Sequence, residues 1–456
     1  MLRALRWWVG LAIFVVALPL LGATSDSAKK KPADDDYELY KTLVDTIDQV
    51  ERNYVTKVNR RELVESAIRG VLNKLDPYSN YIGPEEFGRF RSGMENEFGG
   101  IGIQITSEDG QLRILSPLYG TPAYRAGLQA GDRILEINGK SADGLTLDEA
   151  VEKLKGDEGT TVSLTVSHTG QDGKQTVKVR RERIHVDTVL GDHHNADGTW
   201  NYMLDPKHRI GYVRLTIFSR DTAGELEKVL TRLQAEKIRG LILDLRFNPG
   251  GLLNSAIAVS DLFVAEGRIV STQGRNSPER TWDAHKEDTF EGFPVVVLVN
   301  RFSASASEIV SACLQDHKRA VIVGERTWGK GSVQNVIEME DGRSALKLTT
   351  AGYRRPNGKN IHRFPDAKPS EQWGVMPDKG FEIKLSDREM AALIRERRDR
   401  DILPPAHHGD EATKQPAASK DKTDEKDAKD KKKAAFEDRQ LQAAVSYLTA
   451  ELAKAR

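Results

Sequence analysis

The sequence predicts an α/β protein with a parallel-sheet core, an inserted β-rich module and helical extensions at both ends. Continuous apolar runs alternate with helical segments over residues 210–350. Short apolar runs bounded by glycine and aspartate fill residues 97–184, and helical periodicity marks residues 37–75 and 436–452. A chain of 456 residues is long enough for roughly two to four domains.

The N-terminal residues 1–23 have the pattern of an export signal. Two arginines precede an apolar run from Trp7 to Gly22, and the small residue Ala23 suits signal cleavage. The run also suits an uncleaved anchor, so both a signal peptide and an N-terminal anchor stay open. We therefore expect an exported protein. In a bacterium it would be periplasmic, soluble or held at the inner membrane by this segment.

Residues 24–36 are polar and predict a tether. Residues 37–96 then predict an N-terminal helical region, because apolar residues recur at helical spacing from Tyr40 to Ile68. This spacing indicates two helices, whose apolar faces are expected to pack on the next domain or on another subunit.

Residues 97–184 predict a compact β-rich module that includes one helix. The strand-like runs include GIGIQI, DRILEING and TVSLTV. The segment Leu147–Leu154 has helical spacing, with Thr146 or Asp148 as its N-cap. Strands plus one helix in so short a segment are typical of a small binding domain.

Residues 185–390 predict the parallel-sheet core. The run LILDLR leads into Pro249, Gly250 and Gly251, and the run PVVVLVN leads into Ser303–Glu308 and a helix. Runs of valine, isoleucine and leucine with helices between them indicate a parallel sheet covered on both faces. Ligands bind at the carboxyl ends of such strands, so both loops are expected at the active site.

Residues 391–435 are rich in lysine, aspartate, alanine and proline, which predicts a charged and largely disordered linker. Residues 436–456 regain helical spacing through Leu441 and Leu448 and predict a C-terminal helix. Over the whole chain, 68 basic residues balance 68 acidic ones, so no nucleic-acid partner is expected. Because Cys313 is the only cysteine in the sequence, no internal disulfide can form.

Ser305 lies in the segment FSASASE, where small side chains allow a substrate backbone to approach. The helix that begins there offers free N–H groups to a developing oxyanion. The same segment matches a capping box, S-x-x-E, so a purely structural role for Ser305 stays open beside the catalytic one.

Lys330 stands between Gly329 and Gly331, after a buried strand. It is a solvated charge unless burial lowers its pKa, in which case the neutral amine can take a proton from a serine. The stretch from Gly324 also approaches a phosphate-binding G-x-x-x-x-G-K loop. However, Gly331 replaces the required serine or threonine, and a strand rather than a helix should follow. No histidine occupies a comparable loop, and no metal or other cofactor is expected.

Ser305, Lys330 and Gln334 together resemble the signature of the C-terminal processing peptidases, also called tail-specific proteases, and the likeness spans roughly residues 37–385. Lys330 follows Ser305 by 25 positions, and Gln334 follows Lys330 by four. The resemblance implies a serine protease core with Ser305 as nucleophile, Lys330 as base and Gln334 as the residue that orients the lysine. Residues four apart on a straight strand are ~13 Å apart, so this contact requires a bend, expected at Gly331.

The segment RFNPGG, residues 246–251, resembles the R-x-N-x-G-G loop of the same family. The resemblance implies an oxyanion hole made by the N–H groups of Gly250 or Gly251 and of Ala306. It also implies supporting roles for Glu308, Asp316 and Thr327.

Residues 97–184 resemble a PDZ domain. The loop that would bind a peptide carboxylate is Gly99, Gly100, Ile101, Gly102 and Ile103. A peptide C-terminus would then add to the domain as a strand. A tight turn without a ligand is the alternative interpretation. Relatives often have Arg-Gly after the PDZ helix, whereas this chain has Lys155 and Gly156, so a contact made there by arginine would be altered.

The resemblance implies an exported serine endopeptidase that recognises exposed C-terminal tails of protein substrates and forms an acyl-enzyme. It also implies homo-oligomers assembled through terminal helices, a helical-repeat adaptor lipoprotein as partner and membrane association through the N-terminus. Two other functions stay open. One is a binding scaffold with an inactive core, against which the intact serine, lysine and glutamine argue. The other is a hydratase-like acyl enzyme, which needs neither a Ser–Lys pair nor a PDZ domain.

Overall fold

The computed structural model describes residues 32–95, 97–108, 110–168, 173–403 and 436–454. The predicted export segment and residues 404–435 of the predicted linker lie outside them. None of the helices in these ranges is long and apolar enough to cross a membrane.

The elements up to the end of the inserted module are α1 (Pro32–Asn53), α2 (Arg60–Asn73), β1 (Asn80–Ile82), α3 (Pro84–Glu95), β2 (Glu97–Gly100), β3 (Ile103–Glu108), β4 (Gln111–Pro117), α4 (Pro122–Arg125), β5 (Arg133–Ile137), β6 (Lys140–Ser141), α5 (Leu147–Leu154), β7 (Thr161–Ser167), β8 (Gln175–Arg180) and β9 (Glu182–His185).

The later elements are β10 (Val189–Leu190), β11 (His193–His194), β12 (Trp200–Asn201), β13 (Met203–Asp205), β14 (Ile210–Leu215), α6 (Thr222–Ala235), β15 (Gly240–Asp244), α7 (Leu253–Asp261), β16 (Gly267–Gln273), β17 (Arg280–Ala284), β18 (Val295–Val299), α8 (Ala306–Asp316), β19 (Ala320–Gly324), β20 (Ser332–Met339), β21 (Ser344–Arg354), α9 (Asp387–Asp401) and α10 (Arg439–Lys454).

The chain divides into two units, residues up to Gly70 and residues from Val71 onward. Within the first unit, α1 and the start of α2 are joined by ion pairs from Arg60 to Asp48 and Glu51. The helix α1 begins inside the segment predicted as a tether. It carries several exposed apolar side chains, namely Tyr37, Leu39, Tyr40, Leu43 and Val44.

The inserted module is a β-sheet in the order β3-β4-β5-β7-β8, with β6 paired to β5. Its buried core includes Ile114, Leu164 and Val166, and the helix α5 begins at a capping box made by Thr146 and Glu149. β2 pairs with β9 where the chain enters and leaves the module. Because β3 lies at an edge of the sheet, one of its sides is open to strand addition.

The core is a six-stranded sheet in the order β10-β14-β15-β18-β19, with β13 also paired to β14. Four strands of this sheet run parallel, namely β14, β15, β18 and β19. Alternate residues of these strands face two different clusters. Leu243 and Val297 pack with α6, α7 and α8, while Ile242 and Val296 pack with α10 through Leu448. The predicted α/β class, with a parallel sheet covered on both faces, is confirmed.

A second, antiparallel sheet has the order β1-β21-β16-β17, with β20 paired to β21. The β20–β21 hairpin is long, and its register shifts between Val333 and Gln334. Such a shift marks a β-bulge, which bends the strand and re-aims the side chains that follow.

The predicted start of the linker at residue 391 is wrong, because α9 continues to Asp401. A capping box formed by Ser386 and Glu389 starts this helix, and Met390 and Leu393 bury its apolar side. Of the charged residues of this helix, Arg398 and Asp399 are exposed, whereas Arg397 pairs with the buried Asp244.

Candidate active site

Three loops leave the carboxyl ends of neighbouring parallel strands at one edge of the core sheet. The register pairs Asp244 with Leu298 and Val299 with Gly324, so β15, β18 and β19 end side by side. The loops that follow these strands carry the glycine pair, the serine and the lysine singled out in the sequence. Parallel-sheet topology therefore collects residues that lie far apart along the chain.

Ser305 is the N-cap of α8, in a backbone conformation that L-residues rarely adopt. Its φ and ψ are 57° and −114°, and its side chain is buried. Such a conformation costs of order 1–3 kcal/mol and is typical of functional sites. Of the predicted capping box, the glutamate half is present: Glu308 Oε2 accepts the Ser305 N–H at 2.8 Å, whereas the Glu308 N–H donates to the Ser305 carbonyl oxygen at 2.8 Å. The structural and the catalytic interpretation are compatible, because the carboxylate meets the N–H of Ser305.

Gly250 approaches the serine turn more closely than any side chain permits, whereas Gly251 lies equally close to the backbone of Phe218. A Cβ atom on Gly250 would lie 2.6 Å from the carbonyl oxygen of Ala304, and φ of Gly250 is +101°. The Gly250 N–H donates to Asn248 Oδ1 at 2.8 Å. Within the described residues, no protein acceptor takes the N–H of Gly251 or of Ala306. These two N–H groups are the ones available to an oxyanion.

Asn248 joins the glycine loop to the serine loop, a function that the sequence motif did not reveal. Its side chain is fully buried, and Nδ2 donates to the carbonyl oxygen of Leu215 at 2.9 Å. Its own carbonyl oxygen accepts the Ala304 N–H at 3.1 Å and the Ser307 hydroxyl at 3.0 Å. The spacing between the oxyanion donors is therefore held by backbone hydrogen bonds.

Glu308 joins the serine loop to the lysine loop. Its carboxylate is fully buried, and each oxygen accepts two hydrogen bonds. Oε2 accepts the N–H of Ser305 and the N–H of Lys330, both at 2.8 Å. Oε1 accepts the Thr327 hydroxyl at 2.5 Å and the Gly329 N–H at 2.7 Å. The backbone nitrogens of Ser305 and Lys330 are thus bridged by a single oxygen atom.

Burial raises the pKa of Glu308 to about 6, although its four hydrogen bonds act in the opposite direction. Desolvation penalises the charged form, while N–H and O–H donors stabilise it. At neutral pH the carboxylate is ionised and all four donors have an acceptor. Protonation would turn one carboxylate oxygen into an O–H group, which would face one of the four donors instead of accepting its hydrogen bond.

Lys330 is half-buried, and its Nζ lies 5.1 Å from the centroid of the Tyr78 ring. Burial lowers the pKa of Lys330, and the charge of Lys347 adds to this effect, while Glu308 opposes it. A lowered pKa is what a lysine needs to act as a base near neutral pH. Tyr78 has no recognisable motif, and the sequence analysis did not find it.

Gln334 lies on β20, directly after the bulge. Its Nε2 donates to the hydroxyls of Ser332, at 2.9 Å, and Thr349, at 3.1 Å. Among the described residues, no hydrogen bond joins the side chain of Lys330 to Gln334 or to Ser305. The strand irregularity lies between Val333 and Gln334 rather than at Gly331, where the bend was expected, and such a bulge re-aims the side chain of Gln334.

The three supporting residues lie in different places. Glu308 and Thr327 are in contact, and the Thr327 hydroxyl also accepts the Val375 N–H at 2.7 Å. Asp316 lies at the opposite end of α8 from Ser305 and accepts hydrogen bonds from Arg355, at 2.6 and 2.9 Å, and from the side chain of Asn357. Asp316 therefore anchors the loop after β21 rather than the reacting groups.

The phosphate-binding alternative for the lysine loop fails on structure. That motif requires a helix directly after the lysine, whereas Ser332–Met339 is a strand. Elsewhere in the described chain, ligand atoms of His185, Asp187 and Glu225 lie within 4.8 Å of one another. Both Glu225 oxygens already accept hydrogen bonds, from His185 at 2.5 Å and from Thr188 at 2.7 Å.

The predicted peptide-binding loop lies between β2 and β3 of the module. Gly99 and Gly100 pair with β9, Ile101 is buried, Gly102 has φ +76°, and Ile103 begins β3. A Cβ atom on Gly102 would lie 2.4 Å from Thr121 Cβ, so the turn requires glycine.

The polar groups of this turn point to different partners. The carbonyl oxygens of Ile101 and Gly102 accept the N–H groups of Ala123 and Leu118, each at 2.9 Å. In the part of the chain that the structure describes, the N–H groups of Ile101 and Gly102 have no protein acceptor. Two free N–H groups beside an edge strand are suited to a peptide carboxylate.

A strained serine at a strand-to-helix turn, beside a half-buried lysine at the edge of a parallel sheet, suits a serine peptidase. Three family models match the chain: Peptidase family S41 over residues 209–378, PDZ domain over residues 113–167, and Activating protease CtpB N-terminal domain over residues 20–86. The chain belongs to peptidase family S41, among its C-terminal processing serine proteases.

Individual relatives cover most of the chain. A carboxy-terminal-processing protease of Bartonella bacilliformis is 37% identical over 407 residues, which are 85% of this chain and 88% of that protein. The carboxy-terminal processing protease CtpA of Bacillus subtilis is 36% identical over 77% of this chain and 73% of its own length. Among solved structures, a photosystem II D1 C-terminal processing protease is 28% identical, covers 80% of this chain and 98% of its own, and has a TM-score of 0.43.

Proposed function

We propose that this chain is an exported endopeptidase that captures exposed C-terminal tails through its PDZ domain and cleaves them with Ser305 and Lys330. The Glu308 carboxylate carries this proposal. One of its oxygens bridges the backbone of the serine to the backbone of the lysine. A binding scaffold has no need for a buried carboxylate whose four hydrogen bonds fix these two loops relative to each other.

The proposed acylation begins with proton transfer. The neutral amine of Lys330 accepts the proton of the Ser305 hydroxyl while the hydroxyl oxygen attacks the substrate carbonyl carbon. The carbonyl oxygen becomes an oxyanion and accepts the N–H groups of Gly251 and Ala306. Because these N–H groups have no other acceptor, they need not break a hydrogen bond in order to act.

The tetrahedral intermediate then collapses. The C–N bond breaks, the leaving amine takes the proton from the Lys330 ammonium, and an ester to Ser305 remains. In the second half of the reaction, the neutral amine takes a proton from water, and the resulting hydroxide attacks the ester. The proton returns to Ser305 when the acid product leaves.

The lysine relay needs a side-chain movement. The backbones of Ser305 and Lys330 are bridged, but Nζ lies over the Tyr78 ring. Rotation of the flexible lysine stem, which has four rotatable bonds, brings Nζ from the ring to the serine hydroxyl. Catalytic hydrogen bonds that form only with substrate bound are common among enzymes.

Substrate delivery is proposed to use the edge strand β3. A peptide tail adds beside β3, and the N–H groups of Ile101 and Gly102 take its carboxylate. We further propose export by the N-terminal segment, a periplasmic location with membrane association through that segment, and homo-oligomers. The exposed apolar side chains of α1 support the last of these, and a helical-repeat adaptor lipoprotein is the proposed partner.

The decisive experiment is cleavage of β-casein by the purified protein and by Ser305→Ala. We expect the variant to lose activity by about 10⁴-fold or more, with an unchanged melting temperature. Ser311→Ala is the matched control, because this buried hydroxyl on the same helix bonds only to the Ser307 carbonyl. Casein cleavage by Ser305→Ala at the wild-type rate would reduce Ser305 to a helix cap.

The proposed tail capture has its own test. Isothermal titration measures the affinity of the protein for a peptide that ends in an apolar residue and for the same peptide as its C-terminal amide. We expect at least about tenfold weaker binding of the amide, because charge-assisted hydrogen bonds are lost. Equal affinity for the two peptides would exclude capture of the carboxylate by this loop.

A further inference from the structure

The C-terminal segment, residues 436–454, packs against the loop that carries Gly250 and Gly251. In sequence it is separated from Leu403 by residues 404–435, which predict a linker. Its place in the fold therefore depends on the contacts that it makes. Those contacts involve Arg246 and Phe247, the first two residues of the glycine loop, which spans residues 246–251.

The first contact is with Arg246, whose side chain is only 2% exposed. Its Nη1 donates to Asp438 Oδ1 at 2.9 Å and to Gln440 Oε1 at 3.1 Å. Its Nε and Nη2 donate to Asp244, at 3.1 and 2.7 Å. The C-terminal segment thus supplies about half of the acceptors of a buried guanidinium.

The segment supplies one of the three aspartates that pair with arginines in the charge cluster around Arg246. The buried or half-buried arginines of this cluster are Arg214, Arg246 and Arg397, and the aspartates paired with them are Asp401, Asp244 and Asp438. Removal of Asp438 leaves an excess positive charge in a buried site. Breaking one partner of such a network is strongly unfavourable.

The second link involves Phe247, which has φ +66° although it is not glycine. Phe247 and Phe436 of the C-terminal segment both pack against the buried cluster of Leu385, Met390 and Leu393. The Phe247 ring stacks on Phe302, with centroids 5.7 Å apart. Phe302 lies three residues before Ser305, so the cluster reaches both loops of the oxyanion hole.

We infer that residues 436–454 are a positioning element of the active site, which acts through Arg246 and Phe247 on the glycine loop. The segment touches no reacting atom. It fixes where the loop begins, and therefore where the N–H of Gly251 lies relative to Ser305. This inference rests on the proposed function for its catalytic consequence, but the docking itself does not depend on catalysis.

The first experiment compares substitutions at neighbouring positions. Asp438→Asn removes the charge that meets Arg246, and we expect kcat to fall by about tenfold or more, because small misplacements of catalytic groups are costly. KM should change little, since the PDZ domain is untouched. Asp438→Glu should recover much of the lost kcat. Glu437→Gln is the matched control, because it removes the exposed carboxylate next to Asp438.

A purely structural role would give a different result. In that case kcat of Asp438→Asn would equal the wild-type value per folded molecule at temperatures well below its melting temperature. That result, or an equal loss in Glu437→Gln, would overturn the inference.

The second experiment does not require activity. In a Ser305→Ala background, hydrogen exchange is followed at the amides of Phe247 and Gly250, which donate to Asn300 and Asn248. We expect Asp438→Asn to speed exchange at both amides by at least about tenfold. Unchanged exchange would overturn the inference even if the wild-type protein proved inactive.

The third experiment supplies the segment from outside. A chain that ends at Leu403 is expected to lose most of its kcat, and a synthetic peptide of residues 436–454 is expected to restore it in a saturable way. The same peptide with Asp438→Asn should restore less at saturation. A truncated chain as active as the whole protein, or equal rescue by both peptides, would contradict a positioning role. If the truncated chain does not fold, the substitutions in the full chain decide.

Discussion

The two sides of the active site are built differently. On the serine side, Ser305, Gly250 and Asn248 are buried, and the Asn248 carbonyl oxygen joins the two loops by accepting the Ala304 N–H and the Ser307 hydroxyl. On the lysine side, only the backbone of Lys330 is held, by Glu308, while its amine lies near Tyr78. The comparison teaches that the proposed oxyanion hole would be built into the fold, whereas the proposed proton relay would depend on side-chain conformation.

The largest expected effect tests the lysine side. Lys330→Arg should lower kcat by about 10³-fold or more, because a guanidinium stays charged and cannot accept the serine proton. Lys330→His should keep a trace of activity, since imidazole is neutral near pH 7 but has a shorter reach. Steady-state casein cleavage measures both variants.

An active Lys330→Arg enzyme would remove lysine from the base role. The search would then turn to His362, whose backbone nitrogen would lie 2.2 Å from a Cβ atom placed on Gly331. Burial lowers the pKa of His362, which favours the neutral form of its ring. His362→Ala, added to the Lys330→Arg protein, would show whether His362 is the base.

The next effect tests the bridge between the two sides. Glu308→Gln replaces an oxygen that accepts two hydrogen bonds with an NH₂ group, which faces N–H donors. We expect kcat to fall by about 10²-fold. The free energy of unfolding should change much less than the activation free energy, because removal of a buried charge offsets the loss of a hydrogen-bond acceptor. Glu149→Gln, in the exposed capping box of α5, is the control and should leave casein cleavage unchanged.

A dependence on pH should separate activity from stability. The pKa of Glu308 is about 6 in the folded protein, above its ordinary value of 4.5. The folded state therefore holds this proton more tightly than the unfolded state. Its contribution to stability is fully present below pH 4.5 and is lost as pH rises through 6, an effect of about 2 kcal/mol.

Activity should increase as pH rises through the same interval. Ionised Glu308 accepts all four donors, and the neutral form of Lys330, whose pKa burial lowers, also grows with pH. Denaturant unfolding and casein cleavage measured from pH 4.5 to 7 check both slopes. The Glu308→Gln variant should lose the part of each slope that Glu308 contributes. Parallel slopes for stability and activity in the wild-type protein would contradict this assignment.

The smallest effect concerns Gln334. Its amide bonds to Ser332 and Thr349 rather than to the lysine, so it can orient Lys330 only after the side chains move. Gln334→Ala should lower kcat by about tenfold, well below the loss in Lys330→Arg. Asn335→Ala, the exposed next residue on the same strand, is the control. A loss as large as that of Lys330→Arg would place Gln334 in the proton relay itself.

Much of the fold could be predicted because its signals are local. Runs such as VVVLV show burial on both faces, and the glycines after β15 mark the sharp loop where the strand ends. The helix α9 could not be predicted from composition, because its stability comes from two buried residues, Met390 and Leu393, in a highly charged segment.

The site was predictable to the extent that it lies in short motifs. Ser305, Lys330 and the glycine pair occur in recognisable segments. The bridging role of Glu308 could not be predicted from a motif. S-x-x-E describes only the helix cap, and the N–H of Lys330 comes from a loop 22 residues later. The contacts of Arg246 with Asp438 join residues separated by 192 positions, a distance at which no sequence pattern operates.

The position of Glu308 also governs how this enzyme tolerates changes in length. Glu308 lies three residues after Ser305, within a single helical turn, so its carboxylate returns to the Ser305 N–H. One inserted residue between them would turn the glutamate by ~100° about the helix axis and shift it by ~1.5 Å. Insertions in the hairpin that joins β16 and β17 meet no such constraint. Variation in length should therefore accumulate in that hairpin, while the first turn of α8 keeps its number of residues.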